Sequence, residues 1–258
     1  MIIENLPGNY VFQPGGTPYS SGVRAMPDYE LKHVTLMRPL PLAQALTAIA
    51  AYLDSRMRSP QSLCGLELRC PAPYSFSGFA AFNELYCSQL RSRDMLPEVG
   101  RFNGQNPVAR TNVSSVVESQ AEQTVHAFSY TVPTERSSDQ PSFVISGAGE
   151  LVEAELNGSA IVRAGETSDD AMEEKADLVM SAMQSRLSAL DAHWSDVTVV
   201  NIYTPHNIMP FLQRAILVRM GKAARLGIHW HLSRPPVTDI EFEMDMRGVH
   251  DEQYEELS

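Results

Sequence analysis

Arg110 stands inside Pro107-Val108-Ala109-Arg110-Thr111-Asn112-Val113, a short β-branched stretch with polar neighbours. A guanidinium presents a planar fork of donors that grips both oxygens of a carboxylate, which a lysine cannot reproduce. The segment reads either as a carboxylate clamp in a pocket or as an arginine on a solvated strand face. His229-Trp230-His231 puts two imidazoles on one face of a strand, the i, i+2 spacing that metal sites use. With no third ligand at a recognisable spacing, no metal site is expected there. Met244 and Met246 alternate with Glu243 and Asp245, as in a strand with one apolar face. There is no Gly-rich phosphate loop after a strand, no GxSxG elbow and no HExxH, so nucleotide, serine-hydrolase and zincin chemistries lack their motifs.

The elements that must position these residues come in the same order twice. A Gly/Pro-rich lead precedes a strand at 29–37, a helix at 41–55, a strand at 63–69 and a second helix from about 77 to 91. That second helix carries Phe79, Phe82, Tyr86 and Leu90 at helical spacing. Strands near 108–115 and 124–132 complete a β-α-β-α-β-β unit. Residues 133–141 form a polar, Pro-bounded linker, the expected domain boundary. Beyond it come strands at 142–147 and 158–163, a helix at 168–190, a strand at 196–203, a helix at 209–225, and strands at 227–233 and 239–247. The expected fold is α+β, with two tandem repeats of one strands-plus-helices layer over 1–136 and 137–258.

With 258 residues, 43% of them hydrophobic, the chain can bury the core of two such units. No apolar run approaches a membrane span and no basic-then-apolar leader opens the chain, so a cytoplasmic protein with no membrane partner is expected. Cys64, Cys70 and Cys87 form no CxxC pair and read as free, packed thiols. The net charge of −11 lies wholly in residues 137–258, which hold 9 Lys+Arg against 20 Asp+Glu; residues 1–136 balance 11 against 11. A nucleic-acid partner is not expected, because binding one needs a basic face. The neutral first half is the better host for an anionic ligand, and Glu252, Glu255 and Glu256 read as a solvated tail.

Three further stretches resemble a known family. Pro18-Tyr19-Ser20-Ser21-Gly22-Val23 is similar to the PYSxAV opening of the Rid (RidA/YjgF) superfamily of enamine and imine deaminases, and Phe79 to Tyr86 is similar to its FxxxNxxY helix. The Arg110 stretch is similar to its PARSxV strand. The second half resembles it over Phe143 to Ala148, Ser195 to Tyr203 and Ile240 to Met244.

The resemblance implies Arg110 as the clamp for a substrate carboxylate, with Tyr19 and Asn83 lining the pocket. In that family a glutamate on the last strand positions the attacking water. The first half has no acid on that strand, where Val125-His126-Ala127-Phe128-Ser129-Tyr130 runs. Glu243 of the other repeat is one candidate and His126 a second; Glu243 is alternatively a structural residue paired with Arg234 or Arg247. The resemblance further implies a homotrimer with sites between repeats, a small-molecule carboxylate substrate, and no metal or organic cofactor. The fused two-repeat size resembles the deaminases of 2-aminomuconate and its chlorinated analogue in the degradation of aromatic compounds. Arg24, Arg69 or Arg234 would then take the second carboxylate of such a substrate. A chorismate-cleaving hydrolase and a non-catalytic binding protein are the other readings.

Overall fold

The computed structural model describes residues 1–97, 100–118, 120–135, 140–152 and 160–257. Three strands open the chain: β1 (Ile3–Asn5), β2 (Tyr10–Pro14) and β3 (Ser20–Ala25). β4 (Tyr29–Pro41), α1 (Leu42–Ser55), β5 (Leu63–Arg69), α2 (Phe76–Arg91), β6 (Ala109–Ser115) and β7 (Thr124–Pro133) follow. Next come β8 (Phe143–Gly149), α3 (Asp169–Ala189) and β9 (Val199–Tyr203). A series of helical turns then leads to β10 (His229–His231), β11 (Ser233–Arg234), β12 (Glu243–Gly248) and β13 (Asp251–Glu255).

Among the described residues the strands form one mixed sheet of 13, in the order β10-β9-β12-β8-β3-β6-β5-β7-β4-β13, with β1, β2 and β11 attached beside this path. β7 lies antiparallel between β4 and β5, and β6 runs parallel beyond β5. At the other end β12 lies antiparallel between β8 and β9, and β10 runs parallel beyond β9. The sheet curls: β10 stands at one end of the order, yet β11 immediately after it pairs with β6.

The helices form where the apolar spacing calls for them. Leu42, Ala45, Leu46, Ile49 and Leu53 turn one face of α1 to the sheet, and with Phe82, Tyr86 and Leu90 of α2 they build one core cluster. Ser75 caps α2 by accepting from the Gly78 amide at 3.1 Å. Met172, Ala176, Val179, Met183 and Leu187 of α3 build the second cluster against β8, β9 and β12. Ser168 caps α3, and Asp169 and Asp170 in its first turn favour the positive end of the helix dipole. The three cysteines are buried and free.

Several expectations are corrected. The segment at 209–225 is not one helix: a π-helical turn at Leu212–Leu217, a single α turn, α4 (Val218–Met220), and a 3-10 stretch at Gly221–Leu226 replace it. Gly221 breaks the α pattern with φ +55°, a conformation that favours glycine. Residues 239–242 are a loop rather than the start of the last strand, the amides of Glu241 and Phe242 being engaged by Glu150. The acidic C-terminus is not a solvated tail. It adds β13 parallel to β4, with Lys32 on Asp251, Arg247 on Glu252 and Arg56 on Glu255. The strand expected at 158–163 contributes only a bridge between Leu151 and Ile161, its first two residues lying outside the described ones. Residues 136–139 of the expected linker, with the boundary at 136 and 137, also lie outside them. Among the described residues no helix is long and apolar enough to cross a membrane.

Candidate active site

A cavity of about 180 Å³ opens beside β6, β8, β12 and α2, and Tyr19, Asn83, Arg110 and Glu243 all line it. The first half brings Tyr19, Asn83 and Arg110, and the second brings Glu243. The arginine and glutamate expected to meet between repeats thus do so inside one chain. Phe76, Phe79, Val237 and Ile240 supply apolar walls.

Arg110 points from β6 toward α2 and is 3% exposed. Its guanidinium carbon lies 4.4 Å from the ring centre of Tyr19, 4.7 Å from Tyr86, 5.4 Å from Phe79 and 5.5 Å from Phe82. This aromatic box attracts the cation by its ring faces but accepts no hydrogen bond. One bond is made: Nη2 donates to Oδ1 of Asn83 at 2.8 Å. Nη1 is buried without a hydrogen-bond partner among the described residues. A buried guanidinium left with an orphan donor is costly in an empty pocket and strongly favours an anion within it. Phe79, Asn83 and Tyr86 reach it together because they recur at i, i+4 and i+7 on α2. The Tyr19 segment is fixed by Ser146, whose hydroxyl donates to the Ser20 carbonyl at 2.5 Å and accepts from the Arg110 amide at 3.0 Å.

Glu243 is the first residue of β12, opposite Gly149 on β8 and Tyr203 on β9. It is 5% exposed, and burial, reinforced by Asp245, pushes its carboxyl up to about 8 against the pull of Arg110. At neutral pH the group is therefore mainly a protonated acid. Glycine at 147 makes room for it, because a Cβ there would collide with Oε1 of Glu243. Two further buried residues hold the backbone that leads into Glu243. The Glu150 carboxylate accepts from the amides of Glu241 at 2.6 Å and Phe242 at 3.0 Å, and Lys175 of α3 donates to Glu150 at 3.0 Å. Neither Lys175 nor Glu150 is exposed to solvent.

The sequence reasoning singled out neither Glu150, nor Lys175, nor the role of Gly147. Lys175 did leave a signal, since it interrupts the apolar stripe of Met172, Ala176 and Val179 and so had to be buried with a partner.

His126 does not line this cavity. It is half-buried on β7, in a second polar cluster with Arg69, Glu67, His231 and Arg247 as its charged neighbours, and burial followed by Arg69 lowers its imidazole to about 4. Within that cluster Glu67 meets Arg247 at 3.3 Å, Arg69 at 3.4 Å and His33 at 3.5 Å. Burial alone would raise the Glu67 carboxyl, but His33, Arg247 and Arg69 overcome it and hold the group well below the usual range. His231 stacks on Tyr203 at 4.9 Å between ring centres.

Glu243 is not paired with Arg234 or Arg247: Arg234 bonds Glu241, and Arg247 bonds Glu67 and Glu252. Nor does any arginine considered for a second carboxylate line the cavity. Arg24 pairs with Asp191, and Arg69 is tied to Glu67 and the Leu68 carbonyl.

A mixed α+β chain with a buried arginine that has no ion-pair partner among the described residues, sharing a cavity with a carboxylic acid held protonated, has the makings of an acid–base enzyme for a carboxylate ligand. Residues 2–253 match the family model described as 2-aminomuconate deaminase CnbZ, and the chain belongs to that family. It is 37% identical over 248 residues to the 2-amino-5-chloromuconate deaminase of Comamonas testosteroni, with 94% of each chain covered. Among solved structures it is similar in fold to a chorismatase, at 10% identity and a TM-score of 0.51, covering 88% of this chain and 77% of that one.

Proposed function

We propose that the protein is a hydrolytic deaminase of an enamine carboxylate of the 2-aminomuconate type, releasing ammonia and an oxo acid in the breakdown of aromatic compounds. The observation that carries this reading is the Nη1 donor of Arg110, without a partner among the described residues, in one cavity with the protonated carboxyl of Glu243. Family membership and the relative of known name support it.

The chemistry follows from the two groups. Arg110 takes the substrate carboxylate and Asn83 holds the guanidinium in place. Glu243, neutral at pH 7, gives its proton to the enamine carbon, converting C=C–NH2 into an iminium. The carboxylate so formed accepts a proton from water as its oxygen adds to the iminium carbon. Glu243 then passes its regained proton to the nitrogen and takes back the hydroxyl proton as the C–N bond breaks, so that the tetrahedral adduct expels ammonia and leaves the carbonyl. Arg110 lies where charge developing next to the carboxylate is stabilised.

The reading extends to the architecture. The order β4-β7-β5-β6 in the first half matches β8-β12-β9-β10 in the second, which supports two tandem Rid-like repeats. A homotrimer is the expected assembly, checked by light scattering, although Glu243 needs no neighbouring chain to reach the cavity.

Ammonia release coupled to loss of enamine absorbance, with 2-aminomuconate and a 2-aminoacrylate source, tests the function. Turnover of the muconate that disappears in Arg110→Ala is expected. A well-folded wild type that turns over neither substrate would sink the deaminase reading and bring forward chorismate cleavage or ligand binding without turnover.

A further inference from the structure

The cavity holds a second orphan donor. Nδ2 of Asn112, two residues beyond Arg110 and on the same face of β6, is buried without a hydrogen-bond partner among the described residues. Asn112 is 2% exposed, and a buried amide of this kind calls for a hydrogen-bond partner.

The other end of this amide is fixed. Nε2 of Gln123 donates to Oδ1 of Asn112 at 3.0 Å, and the Tyr74 hydroxyl donates to Oε1 of Gln123 at 2.9 Å. In this arrangement Gln123 accepts from the tyrosine with its oxygen and offers its NH2 to Asn112, so that the NH2 of Asn112, a residue that lines the cavity, is the end of the amide left without a partner among the described residues. A donor held in this way asks for an acceptor in the ligand.

The amino group of an enamine carboxylate is a donor, and its reacting carbons must lie by Glu243. The acceptor must therefore come from the far end of the substrate. Among the described residues no second arginine lines the cavity to take that end.

The geometry points to Asn112 as the specificity-determining residue for the second carboxylate of a dicarboxylate substrate, with Gln123 and Tyr74 as its positioning residues. The inference rests on the deaminase reading for the identity of the substrate, but its test does not require turnover.

The probes are muconate and sorbate, which share one conjugated six-carbon chain and differ in the second carboxylate. Calorimetry of the wild type should show muconate bound at least about tenfold more tightly than sorbate, the scale of one hydrogen bond to a charged group. Asn112→Ala should remove that preference by weakening muconate alone, and Asn112→Asp should reverse it by repulsion. Gln123→Met, which leaves Asn112 in place but frees its amide, should give an intermediate loss. It carries the comparison if Asn112→Ala melts early.

Equal affinity of the wild type for both probes, no binding of muconate, or an equal loss of both in Asn112→Ala overturns the inference. An Asn112-dependent preference without turnover of 2-aminomuconate would discard the deaminase and keep the dicarboxylate site. Turnover without that preference would do the opposite.

Discussion

Glu243 and Glu67 are both carboxylates taken out of water, and they end in opposite states. Glu67 is met by Arg69, Arg247 and His33 and stays ionised. Glu243 has Asp245 nearby and only the attraction of Arg110 and Arg186, neither of them in an ion pair with it, so burial prevails and holds it protonated. Burial sets the starting penalty, and the partners within hydrogen-bond reach decide its outcome. One environment keeps a carboxylate ionised, the other leaves a carboxyl that still holds its proton at neutral pH.

The sharpest way to break this contrast is Glu243→Gln, which keeps the shape and removes the proton transfer. A fall in kcat of about 10³-fold is expected, within the usual range for general acid–base catalysis, with muconate affinity changed by less than about threefold. Arg110→Lys keeps the charge but loses the planar fork. Steady-state kinetics should show kcat/KM reduced roughly 10²-fold, mainly through KM.

The pH dependence sharpens the comparison further. Activity should decline with one proton lost as pH rises through about 8, and kcat measured across that range checks it. Stability has a matching sign. The folded protein keeps the Glu243 proton after the unfolded chain has released its own near 4.5, so this group's contribution is intact below that value and is lost as pH rises to about 8. Glu243→Gln should therefore melt roughly 5 °C higher than the wild type at pH 9 and alike at pH 4. The smallest effect is expected in the other cluster: His126→Asn should change kcat by less than about threefold, and a loss beyond a hundredfold would move the acid–base work to the Glu67 side.

Much of the cavity was legible because its parts are local. Arg110 announced itself as a lone cation in a β-forming stretch, and the periodicity of α2 put Asn83 beside Phe79 and Tyr86. Tyr19, Asn83 and Glu243 entered as candidates through the resemblance, and they share one cavity with Arg110. What stayed hidden depends on partners distant in the chain. The acidic C-terminus looks solvated until Lys32, Arg56 and Arg247 are seen to neutralise it. Residues 239–242 have strand-like composition, but a buried carboxylate at Glu150 captures two of their amides. Asn112 was visible as a residue, yet its bond to Gln123, and through it the link to Tyr74, joins residues brought together only by the fold.

β12 carries Glu243, Asp245 and Arg247 on one face and Met244 and Met246 in the core beneath α3 on the other. A slip of one residue would exchange those faces, filling the cavity with methionines and driving charges into the core. Turnover is thus a register gauge: during refolding, recovered activity counts the molecules whose β12 has locked correctly against β9, while helical signal returns whether or not it has.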